Sequence, residues 1–162
     1  GRRPPRRGAR PGAGRGRPRL SVARAVALDI GTRRIGVALS DSGGTVATPY
    51  EVVTRSGDRA RDHRRIAALV EEAGAEIVVV GLPLSLDGSM GPAAQAIIAE
   101  VGELRGALPV SVVTWDERLS TVEAERSLRA MRVRKGRHRR VVDQVAATVI
   151  LQSWLDAGQP ER

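Results

Sequence analysis

The stretch ALDIGTRRIGVALSD, residues 27–41, predicts two hydrophobic strands joined by a tight turn at Gly31. One acid, Asp29, stands inside the first strand. Because side chains alternate between the faces of a strand, Asp29 shares its face with alanines and a glycine, whereas the other face is aliphatic and bulky. A buried carboxylate is unfavourable unless its charge is compensated, and a metal ion commonly does so. The alternative is an acid that caps the turn after its strand and carries no chemistry.

The composition predicts one domain with an aliphatic core, since the chain has 162 residues and no Phe. It has no Cys, which excludes disulfides and thiolate metal sites and fits a reducing cytoplasm. No apolar run approaches the roughly 20 residues that span a bilayer, and no secretory signal is visible. We therefore expect a cytoplasmic protein with no membrane partner. Its expected parts are a disordered arm over 1–21, a folded domain over 22–158 and a tail over 159–162.

The net charge of +9 is concentrated in two segments. Residues 1–19 contain eight Arg and no acid, and residues 126–140 contain eight basic residues and no acid. The rest of the chain has 11 basic and 18 acidic residues. An acidic body with basic segments is typical of metal-dependent nucleic-acid enzymes, because carboxylates hold the ions and arginines hold the phosphates. An Arg-rich arm of low complexity also fits a solvated tail, so the prediction of nucleic-acid binding rests mainly on the second segment.

Hydrophobic periodicity predicts three strands followed by alternating helices and strands. The predicted strands cover 24–31, 34–41, 46–54, 76–82 and 110–115, and the predicted helices cover 58–73, 92–108, 120–131 and 141–156. The fold class is therefore α/β, with a mixed five-stranded sheet (three antiparallel strands, then parallel strands) and helices on both faces. In the second helix the inward face is predicted to include Ile97, Ile98 and Val101.

Four acids stand where the pattern also predicts burial: Asp29 in the first strand, Asp116 and Glu117 at the end of the fifth, and Asp143 in the last helix. Singly, Asp116 or Glu117 could pair with Arg118 or cap the helix that starts at Ser120. Asp143 could be an acid that the dipole of its helix favours near the helix start. Together they predict a carboxylate cluster that binds two Mg²⁺ or Mn²⁺ ions, hard cations that prefer oxygen ligands. Of the adjacent pair, Glu117 is the favoured metal ligand and Asp116 the supporting residue.

Four blocks of the chain resemble the signature blocks of the YqgF family of pre-16S rRNA nucleases. The blocks read DIGTRRIGVALSD, VVGLPLSLDGSMGP, TWDERLSTVEAE and VVDQVAATVILQSWL, and the resemblance covers about residues 24–157. The family is related to RuvC-like Holliday-junction resolvases within the RNase H-like superfamily. The resemblance implies an RNase H-like fold and divalent-metal hydrolysis of phosphodiesters. It also implies maturation of the 5′ end of small-subunit rRNA, with pre-rRNA and a ribosomal particle as partners.

The resemblance carries Asp29, Asp116, Glu117 and Asp143 over as the catalytic acids. It matches residues 126–140 to a family loop that contacts substrate. The expected nucleic-acid contacts are Arg132, Arg134, Lys135, Arg137, Arg139 and Arg140, together with Arg118, for which an ion pair with a neighbouring acid is the alternative. Resolvase relatives carry an acid after the fourth strand, where this chain reads Gly81-Leu82-Pro83.

Three other interpretations stay open. The first is a Holliday-junction resolvase, which acts on four-way DNA and usually requires a symmetric dimer. The second is a catalytically silent RNA-binding module of the same fold. The third follows from the run Asp29-Ile-Gly-Thr, which resembles the first phosphate loop of the actin and sugar-kinase superfamily, although no second such loop is visible and the chain is about half as long as two lobes require. RNA or DNA as substrate, and monomer or homodimer, are not decided by the sequence.

Overall fold

The computed structural model describes residues 23–120 and 138–160, and for residues 138–143 the description covers the backbone only. The predicted arm, the predicted helix over 120–131 beyond its first residue and most of the basic segment therefore lie outside the described residues. Within the described part no helix is long and apolar enough to cross a membrane.

In the residues that the structure describes, five strands and three α-helices follow one another in the predicted order. They are β1 (Ala25–Ile30), β2 (Arg34–Ser40), β3 (Ala47–Thr54), α1 (Arg59–Ala73), β4 (Ile77–Leu82), α2 (Pro92–Ala107), β5 (Ser111–Asp116) and α3 (His138–Asp156), with a 3-10 turn over Glu117–Leu119 after β5. Asp58 caps α1 by accepting a hydrogen bond from the Arg61 amide, and Gly74 ends the helix in the left-handed conformation.

The sheet has the order β3-β2-β1-β4-β5. β1 pairs antiparallel with β2 and parallel with β4, β2 pairs antiparallel with β3, and β4 pairs parallel with β5. This is the predicted mixed sheet, so the predicted fold class is confirmed. β1 and β4 are buried on both faces, which explains their nearly continuous aliphatic sequences.

Each face of the sheet packs against its own helices. The bulky side chains of β1 and β2, such as Leu28 and Val37, join α1 and α2 in one apolar cluster. The small side chains, such as Ala27 and Ala38, join α3 in the other, where Ile150 and Trp154 are fully buried. The alanines let α3 approach the strands closely, because a small residue on the sheet leaves room for a large one on the helix.

Two predicted features differ from the structure. α3 begins at His138 rather than near Val141, because arginine is a good helix former and no Gly or Pro separates His138 from the aliphatic pattern. Arg139 and Arg140 therefore belong to the helix and not to the loop. On α2, Ile98 is partly exposed, whereas Glu100 is buried beside Val101. The inward face is rotated toward Glu100 because this carboxylate has buried partners.

Those partners form an ionic network behind the sheet. Glu100 is only 3% exposed and accepts a hydrogen bond from Arg55 Nη2 at 2.7 Å, and its other oxygen lies 2.9 Å from Nε2 of buried His63. Arg55 also donates from Nε to the Gly31 carbonyl at 2.8 Å. The network thus connects α2 and α1 to the turn that follows Asp29. A second pair between the same helices, Arg59 with Glu103 at 3.0 Å, is half exposed.

These two pairs predict very different costs of removing a carboxylate. We expect Glu100→Ala to lower the free energy of unfolding by about 3–5 kcal/mol, because it leaves the Arg55 charge largely buried without its partner. Glu103→Ala removes a solvent-exposed pair from the same helix, and we expect a change within about 0.5 kcal/mol. Urea denaturation of both variants measures the difference. Similar costs would contradict a structural role for the buried network.

The contribution of Glu100 also depends on pH. Burial raises the pKa of Glu100, but hydrogen bonds from Arg55 and His63 outweigh it and hold the pKa below its usual value of 4.5. The ionised carboxylate therefore stabilises the fold above the unfolded-state pKa, and this stabilisation is lost as pH falls through the lower folded-state pKa. Between about pH 5 and about pH 3, we expect the wild type to lose more unfolding free energy than Glu100→Gln. Parallel pH profiles of the two proteins, measured by urea denaturation, would overturn this assignment.

Candidate active site

Asp29 lies near the carboxyl end of β1 and is 6% exposed. Its direct neighbour on β2 is Gly36, and continuing the β1–β4 register places Gly81 beside it on β4. The side chain therefore stands on the α3 face between two residues that have no side chain. The predicted small surroundings of this acid are confirmed.

Gly31 makes the turn after β1. Its amide donates to the Arg34 carbonyl at 2.9 Å, and a Cβ at this position would stand 2.7 Å from the same carbonyl oxygen. Because that contact is with backbone, a larger residue would force the turn open. The turn begins two residues after Asp29, and Arg55 stabilises it by donating a hydrogen bond to the Gly31 carbonyl.

Glu117 reaches the same face of the sheet as Asp29. It follows β5 at the start of the 3-10 turn, and its Oε1 lies 2.7 Å from the position that a Cβ on Gly81 would occupy. The Cδ1 atom of Ile150 from α3 lies 2.5 Å from that position. The missing side chain of Gly81 thus provides the space for the Glu117 carboxylate and for the helix above it. The sequence marks Gly81 only as a departure from resolvases and does not reveal this packing role.

Asp116 is held by its own neighbour. It pairs with Leu82 of the apolar α1–α2 face, so it stands on the opposite side of β5 from α3. Its carboxylate accepts hydrogen bonds from the backbone and side chain of Arg118, the shortest at 2.7 Å. The Arg118 guanidinium beside it holds the pKa of Asp116 below its usual range. The structure therefore contains the ion pair that was the alternative interpretation of Arg118.

The loop between β4 and α2 lies against this ion pair. Arg118 Nη1 donates to the Leu86 carbonyl at 3.3 Å, and Gly88 turns with positive φ directly beside the guanidinium. Asp87 accepts hydrogen bonds from the amide and hydroxyl of Ser89 within the loop. Arg118 therefore joins the loop over 83–91 to the end of β5, next to Glu117.

A hydrogen-bonded chain ties the same region to α3. Trp115 Nε1 donates to Ser153 Oγ at 3.0 Å, and Ser153 Oγ donates to the Leu119 carbonyl at 3.1 Å. The 3-10 turn that carries Glu117 is thus anchored both to the sheet and to the last helix. Through these contacts the position of Glu117 depends on the position of α3.

The structure describes Asp143 through its backbone alone. The residue lies in α3, three and four positions before Ala146 and Ala147, which are fully buried against the sheet. Among the described side chains, no three acids or histidines converge as a metal site. The side chains of the predicted basic contacts lie outside the described residues, except that of Arg118. Of the predicted acids, the structure places Asp29 and Glu117 on one face and Asp116 on the other.

The chain was compared with known protein families. Residues 23–157 match the RuvX family, which is described as a Holliday junction resolvase family. The chain belongs to the RuvX family. The match covers every strand and helix of the described fold, so it includes Asp29, Asp116, Glu117 and Asp143 in their structural context.

RuvX relatives are similar along nearly their whole length. A protein of Desulforudis audaxviator is 44% identical over 139 residues, which is 86% of this chain and 98% of the relative. One of Mycobacterium ulcerans is 49% identical over 151 residues, covering 92% and 84%, and one of Leifsonia xyli is 51% identical over 137 residues, covering 80% and 83%. All three carry the name "Putative pre-16S rRNA nuclease".

A solved structure shares the RuvX fold. Thermus thermophilus RuvC in complex with a Holliday junction substrate aligns with a TM-score of 0.51 over 86% of this chain and 98% of the RuvC chain. The sequence identity is 15%, so this likeness concerns the fold alone.

The space over Gly81 leads to a prediction about packing. Gly81→Ala places a methyl group where Ile150 and Glu117 stand, and we expect it to lower the free energy of unfolding by about 1–3 kcal/mol. Gly102→Ala is the matched control, because a Cβ at that exposed position of α2 would meet nothing within 4 Å beyond its chain neighbours and its own helix backbone. The control should stabilise the protein by up to about 1 kcal/mol through helix propensity. If urea denaturation gave both variants wild-type stability, the close packing over Gly81 would be wrong.

Proposed function

We propose that this chain is a divalent-metal-dependent endonuclease that matures the 5′ end of pre-16S rRNA. Membership of the RuvX family supports a nuclease, and the names of the relatives support pre-16S rRNA as the substrate. The observation that carries the proposal is the packing at Gly81. There the carboxylate of Glu117 comes to the face of the sheet on which Asp29 stands buried between two glycines.

The residues present fit a pair of Mg²⁺ or Mn²⁺ ions. The space at this face is left by glycines on β2 and β4 and is bordered by carboxylate oxygens, which are the ligands that hard cations prefer. Asp29, Glu117 and Asp143 would hold the ions. When bound, such ions supply an activated water and stabilise the leaving oxygen of a phosphodiester.

The protein's own residues would then position the reactants. The ion pair of Asp116 with Arg118 fixes the start of the 3-10 turn, so Asp116 would orient Glu117 without touching the substrate. Arg132, Arg134, Lys135, Arg137, Arg139 and Arg140 would bind backbone phosphates, which fixes the strand without selecting its sequence. The family resemblance implies products with a 3′-hydroxyl and a 5′-phosphate.

A Holliday-junction resolvase is the second candidate, favoured by the description of the family. A resolvase cuts two strands symmetrically and so would act as a homodimer on four-way DNA. The segment Gly81-Leu82-Pro83, which has no acid where resolvase relatives carry one, favours the RNA substrate over the junction. A catalytically silent RNA-binding module is the remaining possibility, and intact acids at all four positions weigh against it.

Cleavage assays test the proposal. We expect Mg²⁺- or Mn²⁺-dependent cleavage of a labelled RNA that spans the mature 5′ end. Asp29→Asn, Glu117→Gln and Asp143→Asn should reduce the rate to background, because each removes a proposed ligand. Asp116→Asn should reduce it about 10- to 100-fold, as expected for a residue that orients a ligand.

A control variant tests whether the loss of activity is specific to the proposed ligands, and a second substrate distinguishes the nuclease from the resolvase. Asp87→Asn changes an exposed acid of the neighbouring loop and should leave the rate near that of wild type. Symmetric cleavage of a four-way DNA junction with no RNA cleavage would replace the proposal with the resolvase. Binding of RNA without metal-dependent cleavage of either substrate would favour the silent module.

A further inference from the structure

A cationic cleft of about 570 Å³ opens beside the turn between β1 and β2. Four arginines line it, and Asp62 is the one acid among its lining residues. The arginines are Arg33, Arg34, Arg55 and Arg59. This cleft lies on the α1 side of the turn, whereas Asp29 faces α3.

The one acid that lines the cleft is buried and already has a hydrogen-bond donor. Asp62 is 4% exposed and accepts a hydrogen bond from the Ser56 amide at 3.0 Å. Two of the arginines, in contrast, are available to a ligand. Arg33 is exposed and has no ionic partner among the described residues. Arg59 makes the half-exposed pair with Glu103, and its charge also contributes to the lowered pKa of Glu100. An exposed pair of this kind contributes little, so Arg59 can exchange its partner at small cost.

The cleft also receives the amino-terminal end of α1. Gly57 and Arg59, which flank the cap of this 15-residue helix, both line it. The Asp58 carboxylate already accepts the Arg61 amide at this end, so the guanidinium groups of the cleft are the donors that remain for an anion. Guanidinium groups add bidentate donors that match phosphate oxygens. The chemistry of the cleft is therefore that of a phosphate site.

The wall of the cleft is continuous with the turn after Asp29. Arg55 donates from its backbone amide to the Arg33 carbonyl at 2.9 Å and from Nε to the Gly31 carbonyl at 2.8 Å. The chain from Asp29 to Gly31 spans roughly 7 Å at most. A nucleic-acid strand that reaches Asp29 from the α3 side can therefore continue across the turn into the cleft.

We propose that this cleft binds a backbone phosphate of the nucleic acid, displaced along the strand from the bond that is cut. The inference rests on the proposed function and adds a second point of contact to it. The cleft would hold the strand at a point separate from Asp29 and Glu117. The contact is with phosphate, so it fixes the path of the strand and not its sequence.

Salt-dependent binding tests the cleft. The cleft variant is the double substitution Arg33→Gln/Arg59→Gln. The matched control is Arg64→Gln/Arg65→Gln, which removes the same charge. Arg65, like Arg59, makes an exposed ion pair, here with Glu51 at 3.8 Å. All proteins carry Asp29→Asn and bind fluorescein-labelled single-stranded RNA in EDTA, so that no cleavage occurs. We expect the cleft variant to bind about 5- to 10-fold more weakly near 0.1 M salt. Its slope of log affinity against log salt should fall by about 0.7 or more, and the control should lose less than half of that.

A second experiment locates the contact. The chain has no cysteine, so Arg33→Cys introduces a unique thiol. Disulfide trapping with an RNA that carries a thiol tethered to one backbone phosphate should succeed at this position and fail at Arg64→Cys.

The outcomes separate the two proposals. Equal salt slopes for the two double variants, or equal trapping at the two cysteines, would overturn the cleft and leave the nuclease proposal intact. If the Asp29→Asn parent bound neither this RNA nor a four-way DNA junction, the proposed function itself would fail and the cleft with it. Saturation of the cleft by inorganic phosphate with no change in RNA affinity would assign it to a free anion and overturn the backbone contact.

Discussion

The absence of a side chain at Gly81 is the constraint on which both the core and the candidate site depend. The space above this glycine is shared by Ile150 from α3 and by the Glu117 carboxylate from the turn after β5. An apolar helix contact and an acidic group therefore meet at one point of the sheet. The position of the acid is tied to how closely α3 packs, since close-packed interiors transmit small displacements.

On the α1–α2 face of the sheet, a buried ionic network stabilises the turn that follows Asp29. Arg55 joins the buried Glu100 to the carbonyl of Gly31, and so links two helices to the turn after Asp29. A buried ion pair of this kind is costly to break, because removing one partner leaves the other charge buried and uncompensated. The same arginine borders the cationic cleft, where Arg33 and Arg59 are more exposed. The turn after Asp29 therefore lies between the α3 face, which carries Asp29, and the cationic cleft on the α1 side.

The sequence was sufficient for the architecture because the local patterns agree with it. Alternation in β1 and β2 identified both the strands and the small face around Asp29, and the long aliphatic run of β4 identified a strand covered on both sides. The pattern failed at Glu100, because a glutamate on a helix predicts an exposed position and its partner Arg55 lies 45 residues earlier. It also gave no account of Gly81, since the need for a glycine arises from atoms of the turn after β5 and of α3 that only the folded chain brings there.

The two tryptophans stand at places that report on different events. Trp154 of α3 is 1% exposed in the core and its Nε1 donates to the Pro160 carbonyl. Trp115 is half-buried, and its Nε1 donates to Ser153 beside the turn of Glu117. The chain has no other tryptophan and a single tyrosine. Its intrinsic fluorescence is therefore composed of one emitter inside the hydrophobic interior and one at the rim of the acidic face. Replacing either with phenylalanine would leave a single tryptophan as the probe, of helix docking when Trp154 remains and of ligand binding when Trp115 remains.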